Sequence, residues 1–376
     1  MKHRILSVLM LVVVACSITA FVNTPPKTKK VVIAYVGGFR GLVNADSIDV
    51  RKLTHINYAF VNVKDNAAWL ENEATDTVNF RKLNLLKRIN PDLKILISIG
   101  GWAWSDKFSD AVLTEASRKK FAQTSVAIIK KYKLDGVDID WEYPAKPGEE
   151  DNVYRPEDKQ NYTLMFKAIR EELNALEKQT KKKYLLTTAV GGYHEYIEHT
   201  EMDKAQVYLD YVNIMSYDFK TGADSITGHH TNLFASNDYA TERSTDRAIT
   251  EFIAAGVPAS KIVMGVAFYA RSWTTNTPDN RGMNQLAVQA QWGGGYSKLK
   301  ETTIDKNGFK RYWDERAKAP YLFNEEKRIF ISYDDEMSIT EKCHYVTAHK
   351  LGGVMFWEYS EDPKGYLLGT ISRELK

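Results

Sequence analysis

Cysteine is nearly absent from this sequence, with only 2 among 376 residues. Cys16 lies in the N-terminal apolar stretch, and Cys343 lies in a helical pattern. If the N-terminal stretch is removed, one cysteine is left, which excludes a fold held together by internal disulfides. We expect Cys343 to be a small core residue, since a buried free cysteine packs as an apolar side chain.

Neither sign of charge dominates the sequence. Its 51 Lys and Arg residues and 48 Asp and Glu residues are mixed along the chain and leave a formal net charge of +3. A nucleic-acid-binding face or a polybasic membrane patch needs clustered basic residues, so neither partner is predicted. With 44% hydrophobic and 12% aromatic residues, the chain can bury a large core, and we expect a neutral partner.

Long apolar runs are confined to the N-terminus. Basic residues at 2–4 precede an apolar run at 5–15, which is typical of a secretory signal and too short for a membrane span. Residues 13–16 resemble the lipobox of bacterial lipoproteins, in which the cysteine is lipidated. We therefore predict a leader over residues 1–23 and export, with the protein either secreted or lipid-anchored at the bacterial cell envelope through Cys16. Alternatively, Cys16 is an ordinary signal-peptide residue.

The most informative segment, residues 135–144, reads DGVDIDWEYP and places carboxyl groups at Asp138, Asp140 and Glu142. Alternate side chains of a β-strand share one face, so the three acids are expected to lie together. Three adjacent carboxylates cannot all ionise cheaply, and at least one is expected to hold a proton near neutral pH and to serve as a general acid. Asp135 is out of phase with the others, and we expect it to be structural.

An alternating acidic strand can also be the solvated face of an antiparallel sheet. Two features disfavour that interpretation. Val137, Ile139 and Trp141 occupy the opposite face. Other apolar strands, each followed by a helix-like segment, flank this one, which indicates a parallel sheet that is buried on both sides.

The order of strands and helices predicts an α/β fold of the (β/α)8 TIM barrel type. Strands are predicted at residues 31–36, 53–62, 94–99, 136–141, 184–190, 211–216, 262–268 and 353–357. Amphipathic helices are predicted at residues 80–88, 117–132, 159–176, 244–255 and 336–350. Eight alternations of strand and helix in one unit of this size are typical of the barrel.

A long gap between the seventh and eighth predicted strands interrupts the alternation. It holds strand-like segments at 319–323 and 328–333 and a predicted glycine turn at 293–295. We therefore predict a small α+β insertion over residues 272–335, within a catalytic domain over residues 24–376, and expect it to form one wall of a cleft.

Aromatic and acidic residues gather at the predicted strand ends, where catalytic groups of such barrels lie. Trp102 and Trp357 directly follow or end strands, and Tyr217 and Asp218 follow another. Sugar rings pack their C–H faces on aromatic rings, while their hydroxyl groups bind carboxylates. This combination predicts a carbohydrate site. For a single aromatic residue such as Tyr58, core packing is the simpler interpretation.

Two motifs are set aside. His194 and His199 superficially resemble a zinc-protease motif, but they are five residues apart and would diverge around a helix, so no metal site is predicted. The paired glycines at 37–38, 100–101, 191–192 and 352–353 form neither a G-x-G-x-x-G motif nor a P-loop. No nucleotide or other cofactor is predicted, and the pairs are interpreted as tight turns.

The sequence resembles glycoside hydrolase family 18 over nearly all of its mature length. Residues 135–142 match the D-x-x-D-x-D-x-E signature of that family, and further agreement is found at residues 98–101, 215–218, 227–229, 269–273 and 352–357. The resemblance implies a chitinase that cleaves β-1,4-linked N-acetylglucosamine polymers with retention. It also implies substrate-assisted catalysis, which is an exception to the usual glycosidase mechanism with two catalytic carboxyl groups.

The resemblance implies a role for each site residue. Glu142 is expected to be the general acid, Asp140 to hold the acetamido N–H, Asp138 to share a proton with Asp140, and Tyr217 to donate to the acetamido oxygen. Substrate contacts are expected from Tyr35, Phe60, Gly101, Trp102, Tyr143, Met215, Asp218, Tyr269, Arg271 and Trp357.

Several functions stay open from the sequence alone. An endo-β-N-acetylglucosaminidase acting on N-glycan cores would use the same acids, and a peptidoglycan or spore-wall hydrolase is also compatible. A non-catalytic chitin-binding lectin is compatible too, although such relatives usually lack the acid found here at Glu142. The expected partners are chitin or N-acetylglucosamine oligosaccharides, bound by a monomer.

Overall fold

The computed structural model describes residues 30–239 and 243–375, so the predicted leader and Cys16 lie outside the described residues. Within these ranges, eight parallel strands close into a barrel, because the first pairs with both the second and the eighth. Their bounds are Val31–Gly37, His55–Lys64, Lys94–Gly100, Gly136–Asp140, Leu185–Gly191, Tyr211–Met215, Ile262–Ala267 and Gly353–Trp357. The predicted TIM barrel is confirmed.

Helices surround the barrel. The α-helices are Glu73–Leu85, Phe108–Ala111, Glu115–Tyr132, Asp158–Thr180, His194–Glu198, Met202–Ala205, Thr245–Ala254, Tyr296–Thr302, Glu336–Ala348 and Tyr366–Glu374. Shorter 3-10 turns are Ala45–Ser47, Val50–Lys52, Leu86–Arg88, Trp102–Trp104, Gln206–Tyr208, Ala259–Lys261, Asp279–Gly282 and Tyr359–Glu361. No helix in the described part of the chain has the length and apolar character needed to cross a membrane.

Capping residues explain where several helices begin. Glu73–Leu85 begins seven residues before the predicted position 80, because the Asn72 side chain accepts a hydrogen bond from the Thr75 amide. Thr114 and Ser117 form a capping box that starts Glu115–Tyr132. The first crossover differs from the predicted alternation, since only the two 3-10 turns at 45–52 connect strands one and two.

Alternation along each barrel strand separates two apolar layers. In the first strand, Val32 and Ala34 pack toward the helices, while Ile33 and Tyr35 belong to the cluster inside the barrel. The fourth strand follows the same rule, with Val137 and Ile139 in the outer layer. Asp138 consequently faces the barrel interior, as the sequence predicts.

A second sheet of five antiparallel strands forms the insertion. Its strands are Tyr269–Thr275, Ala287–Gly295, Phe309–Asp314, Ala319–Asn324 and Ile329–Ser332, and a short strand Ala67–Trp69 separately extends barrel strand two. Tyr269 and Arg271 lie on the first insertion strand and not at the end of the seventh barrel strand. They reach the barrel mouth because this strand begins two residues after the barrel strand ends.

The predicted turn at residues 293–295 is wrong. These glycines end a strand, and the pairing register shifts between Trp292 and Gly294. Gly294 has φ +89°, a left-handed conformation that favours glycine, so the three glycines make a bulge instead of a reversal of the chain. Bulges of this kind redirect neighbouring side chains, here Trp292.

Candidate active site

The carboxyl ends of the barrel strands surround a cavity of about 860 Å³. Most of the side chains predicted at strand ends meet there. The predicted residues that line it are Tyr35, Phe60, Gly101, Trp102, Asp140, Glu142, Met215, Tyr217, Asp218, Tyr269, Arg271 and Trp357.

Asp138 lies beneath this cavity and is fully buried. Its carboxyl oxygens accept hydrogen bonds from Tyr35 Oη at 2.9 Å, Ser98 Oγ at 2.8 Å and the Thr187 hydroxyl. Burial raises the pKa of Asp138, while these donors act in the opposite direction. The carboxyl group is therefore fixed by side chains from several barrel strands.

Asp140 is the second buried acid, with 3% of its surface exposed. Burial, followed by the charges of Glu142 and Asp138, raises its pKa well above the usual range. Its Oδ1 has no hydrogen-bond partner among the described residues. A buried polar atom without a partner is costly, and this oxygen points to a ligand donor as its natural partner.

Glu142 follows the fourth strand by two residues and lines the cavity. Burial and the negative charge of Asp218 raise its pKa to about 8. Ser105 fixes the backbone at this point, because its Oγ donates to the Asp140 carbonyl at 2.9 Å and accepts from the Glu142 amide at 3.2 Å. A carboxyl group with this pKa is mainly protonated at neutral pH and can serve as a general acid.

Asp218 is held by Arg271 across the cavity. Arg271 Nε and Nη2 donate to the two Asp218 oxygens at 2.8 and 2.7 Å, and His230 Nδ1 lies 3.6 Å from Oδ1. Burial opposes ionisation, but His230 and Arg271 hold the pKa of Asp218 below its ordinary range. Asp218 is therefore an anion that faces Glu142 at neutral pH.

Tyr217 presents a hydroxyl group without a strong protein partner. Its ring packs edge-on against Tyr269, and within the described chain its Oη makes only a long contact, 3.9 Å, with Met355 Sδ. Burial and the charge of Asp140 raise its pKa well above the ordinary value, so the hydroxyl keeps its proton. It can donate that proton to a ligand in the cavity.

An aromatic platform covers one side of the cavity. The Trp357 ring stacks on Phe60, with centroids 5.4 Å apart and planes at 15°, and on Phe39 at 6.2 Å and 5°. Trp102 lies on another side and is 54% exposed. Flat exposed rings of this kind suit the apolar faces of sugar rings.

Two predicted residues do not line the cavity. Asp138 acts from below, as described. Tyr143, expected to contact substrate, is 1% exposed, packs edge-on under Trp102 and donates from Oη to the Trp102 carbonyl at 2.8 Å. Because its hydroxyl is used by the protein, Tyr143 supports Trp102 and is not a direct ligand.

Asp135 also lies apart from the site, as expected for a structural residue. Lys87 and Lys182 form ion pairs with its two oxygens at 2.5 and 2.6 Å, at the start of the fourth strand. Its backbone and side chain contact the third strand at Ile95. The carboxylate therefore stabilises the opposite end of the barrel.

Several lining residues were not predicted from the sequence, namely Phe39, Lys146, Tyr193, Arg243 and Trp292. Phe39 and Tyr193 each follow a glycine pair at a strand end, the same signal that identified Trp102. Trp292 precedes the glycine bulge. Lys146 and Arg243 lie in loops without a periodic pattern, so no sequence signal distinguishes them.

His194 and His199 do not converge. His199 Nδ1 contacts the Ala145 carbonyl at 2.8 Å, whereas His194 lies between Glu198 and Glu251. Over residues 30–239 and 243–375, no group of three or more His, Cys, Asp or Glu side chains is arranged to hold a metal ion.

Comparison with known proteins assigns the chain to a family. A profile of the glycosyl hydrolases family 18 matches residues 31–362. Chitinase A1 of Niallia circulans is 37% identical over 392 residues, which cover 88% of this chain and 56% of that protein. The chain thus spans little more than half the length of this relative.

Solved structures agree with this assignment. A glycoside hydrolase family 18 N-acetylglucosaminidase from Paenibacillus barengoltzii is 43% identical, with a TM-score of 0.85, and the match covers 92% of this chain and 99% of that one. A chitinase from Bacillus thuringiensis is 34% identical, with a TM-score of 0.87, over 92% and 70% of the two chains. The chain therefore belongs to family 18 of the glycosyl hydrolases.

Proposed function

We propose that this protein hydrolyses β-1,4-linked N-acetylglucosamine polymers, such as chitin and chito-oligosaccharides, with retention and with the acetamido group of the substrate as nucleophile. The observation that carries the proposal is the column of Asp138, Asp140 and Glu142, which ends in a protonated carboxyl group inside an aromatic-lined cavity. The similarity to relatives that are named chitinases supports this substrate class.

Glu142 begins the reaction as the general acid. With its pKa raised to about 8, it carries a proton at neutral pH and delivers it to the glycosidic oxygen as that bond breaks. The carbonyl oxygen of the 2-acetamido group forms a bond to the anomeric carbon, which gives an oxazolinium ion. The Glu142 carboxylate then removes a proton from water, which attacks the anomeric carbon and restores the acetamido group.

Asp140 and Tyr217 hold the attacking acetamido group. The unpartnered Asp140 oxygen accepts from the acetamido N–H, and the free Tyr217 hydroxyl donates to its carbonyl oxygen. Fixing the amide against the anomeric carbon converts a loose encounter into an oriented intramolecular attack. Asp138 shares a proton with Asp140 and so limits the charge that accumulates beside the oxazolinium ring.

Trp357 is the floor beneath the reacting sugar. It ends the eighth strand, opposite the fourth in the barrel order, so a sugar on its ring has Glu142 on the far side. The Phe39, Phe60 and Trp357 platform extends this floor toward the first two strands. The leaving sugar then lies on the Glu142 side, near Trp102 and Tyr193.

The test is hydrolysis of N-acetylated chitotetraose, with the anomeric form of the first product followed by NMR. The proposal expects initial β-anomer, no turnover of an oligomer with glucosamine at the reacting position, and inhibition by a thiazoline analogue. Glu142→Gln should lower kcat by at least about 10²-fold with little change in binding. Glu150→Gln, an exposed neighbour, is the matched control. Turnover of the glucosamine-containing oligomer at a normal rate would refute the acetamido mechanism.

A second candidate is an exo-acting N-acetylglucosaminidase. It is favoured by the 43% identity to the N-acetylglucosaminidase from Paenibacillus barengoltzii, across 99% of that chain. The exo action is part of this proposal. Time-resolved product analysis on chitohexaose separates the two activities. Monosaccharide as the first and dominant product supports the exo enzyme, whereas internal fragments support the chitinase.

Three further functions are tested with the same preparation. Release of glycan from a high-mannose glycopeptide would support an endo-β-N-acetylglucosaminidase, and solubilisation of purified peptidoglycan would support a cell-wall hydrolase. Binding of chitin without turnover would support a lectin. The raised pKa of Glu142 argues against the lectin, because a binding protein has no need of a buried general acid.

Export is also a proposal, based on the N-terminal sequence. The basic residues at 2–4, the apolar run at 5–15 and Cys16 support either secretion or a lipid anchor. Labelling of cells with radioactive palmitate distinguishes the two, since only the anchored form incorporates label. Cys16→Ser should abolish that label and release the protein into the medium.

A further inference from the structure

Two basic side chains flank the ring of Tyr193 at the mouth of the fifth strand. Lys146 Nζ lies 4.7 Å from the ring centroid, and the Arg243 guanidinium carbon lies 5.5 Å from it. All three residues line the same cavity as Glu142. We call Lys146, Tyr193 and Arg243 the cationic wall.

The cationic wall belongs to the leaving-group side of the cavity. Lys146 follows Glu142 by four residues, and Tyr193 Oη donates to the Glu142 carbonyl at 3.4 Å. The fourth and fifth strands lie across the barrel from Trp357 on the eighth. With the reacting sugar on Trp357, the sugar beyond the scissile bond faces Tyr193 and Lys146.

Among the described residues, Lys146 forms no ion pair with a carboxylate. It is half-buried, and no carboxylate in residues 30–239 or 243–375 lies within salt-bridge distance of its Nζ. Burial lowers its pKa, Glu195 raises it and Arg243 lowers it further. The Tyr193 ring attracts the Lys146 ammonium group without neutralising its charge.

The acids that line the cavity do not cancel the charge of Lys146. Asp218 is bound to Arg271 by two hydrogen bonds, and the pKa of Glu142 is raised to about 8. Asp140, the third acid in the lining, is buried, and burial with the charges of Glu142 and Asp138 raises its pKa well above the usual range. Glu195 lines the adjoining recess and not the main cavity. Lys146 therefore presents a positive charge to the leaving sugar.

We propose that the cationic wall makes the enzyme select an acetylated sugar on the leaving-group side, with Lys146 as the specificity-determining residue. An N-acetylglucosamine unit there is neutral and packs on Tyr193. A glucosamine unit brings an ammonium group toward the Lys146 ammonium group and is repelled. This inference rests on the proposed function and concerns a different sugar from the one whose acetamido group reacts.

The test is digestion of a half-acetylated chitosan, with the new non-reducing ends sequenced by mass spectrometry. In the wild type these ends should be mainly N-acetylglucosamine. Lys146→Gln should raise the glucosamine fraction at these ends roughly 2- to 10-fold, as expected for removal of one partly screened charge. Lys146→Arg should keep the wild-type distribution. Lys119→Gln, an exposed helical lysine, should also leave it unchanged.

The dependence of the glucosamine fraction on salt concentration tests the same inference with the wild-type protein alone. Raising the ionic strength from about 0.1 M to 1 M shortens the screening length from about 10 Å to about 3 Å, so the wild type should admit more glucosamine. Equal glucosamine fractions in wild type and Lys146→Gln, or no response to salt, would overturn the inference. Absence of activity on fully acetylated oligomers would instead refute the proposed function, so the two failures are distinguishable.

Discussion

Arg271 binds Asp218 through two parallel hydrogen bonds, 2.8 Å from Nε and 2.7 Å from Nη2. The two residues are 53 positions apart, and the pair connects a barrel loop with the insertion sheet. Since the pair keeps Asp218 ionised, its charge contributes to raising the pKa of Glu142. The insertion therefore influences the protonation of Glu142.

The first prediction concerns pH dependence. Glu142 is active when protonated, so kcat/KM should fall as pH rises through about 8. Asp218→Asn removes a charge that raises this pKa, and the alkaline limb should shift to lower pH. Asp92→Asn, exposed before the third barrel strand, is the control. An unshifted alkaline limb in Asp218→Asn, measured on chitotetraose between pH 4 and 10, would contradict this electrostatic coupling.

The second prediction concerns the Tyr217 hydroxyl. Tyr217→Phe keeps the ring contact with Tyr269 but removes the hydroxyl group that we propose as the donor to the acetamido oxygen. Loss of one such donor should lower kcat by about 10²-fold with a smaller effect on KM. Steady-state kinetics on chitotetraose measure both, with exposed Tyr154→Phe as control. A raised KM with unchanged kcat would assign the hydroxyl to ground-state binding.

The third prediction concerns Trp292, which the glycine bulge directs into the cleft. Its ring stacks on Tyr269 at 4.7 Å, and Arg271 lies over both rings. Trp292→Ala should weaken binding of chitohexaose by about 2- to 12-fold, the loss expected for one aromatic contact. Calorimetry in a Glu142→Gln background measures this. Trp292→Phe should retain most of the affinity, and equal losses in both variants would argue against stacking.

The fourth prediction concerns a buried ion pair outside the cleft. Lys342 and Asp334 are both fully buried, and Lys342 Nζ contacts the two Asp334 oxygens at 2.8 and 2.7 Å. Lys342→Met leaves a buried carboxylate without its cation and should lower the free energy of unfolding by about 3–5 kcal/mol. The double variant Lys342→Met with Asp334→Asn should lose less. Urea denaturation compares them with exposed Lys119→Met.

The barrel and the shared face of the three acids could be predicted without a structure. Asp138, Asp140 and Glu142 share a face because the period of two along a strand is a local property of the backbone. The glycine pairs at 37–38, 100–101 and 191–192 lie at strand ends, and the aromatic residue after one of them, Trp102, lines the cavity. The pair at 352–353 instead lies where the eighth strand begins. Both features depend on neighbours in the chain, so the amino-acid order is enough to find them.

The tertiary structure decides which distant groups meet around Asp138, Asp140 and Glu142. Lys146 and Arg243 come from separate loops, and loops carry no periodic pattern that fixes the direction of a side chain. The direction of the Trp292 side chain depends on a bulge. In the sequence, the glycines of this bulge predict a turn instead. Closure of the barrel and docking of the insertion bring these groups together, because packing between distant segments sets their distances.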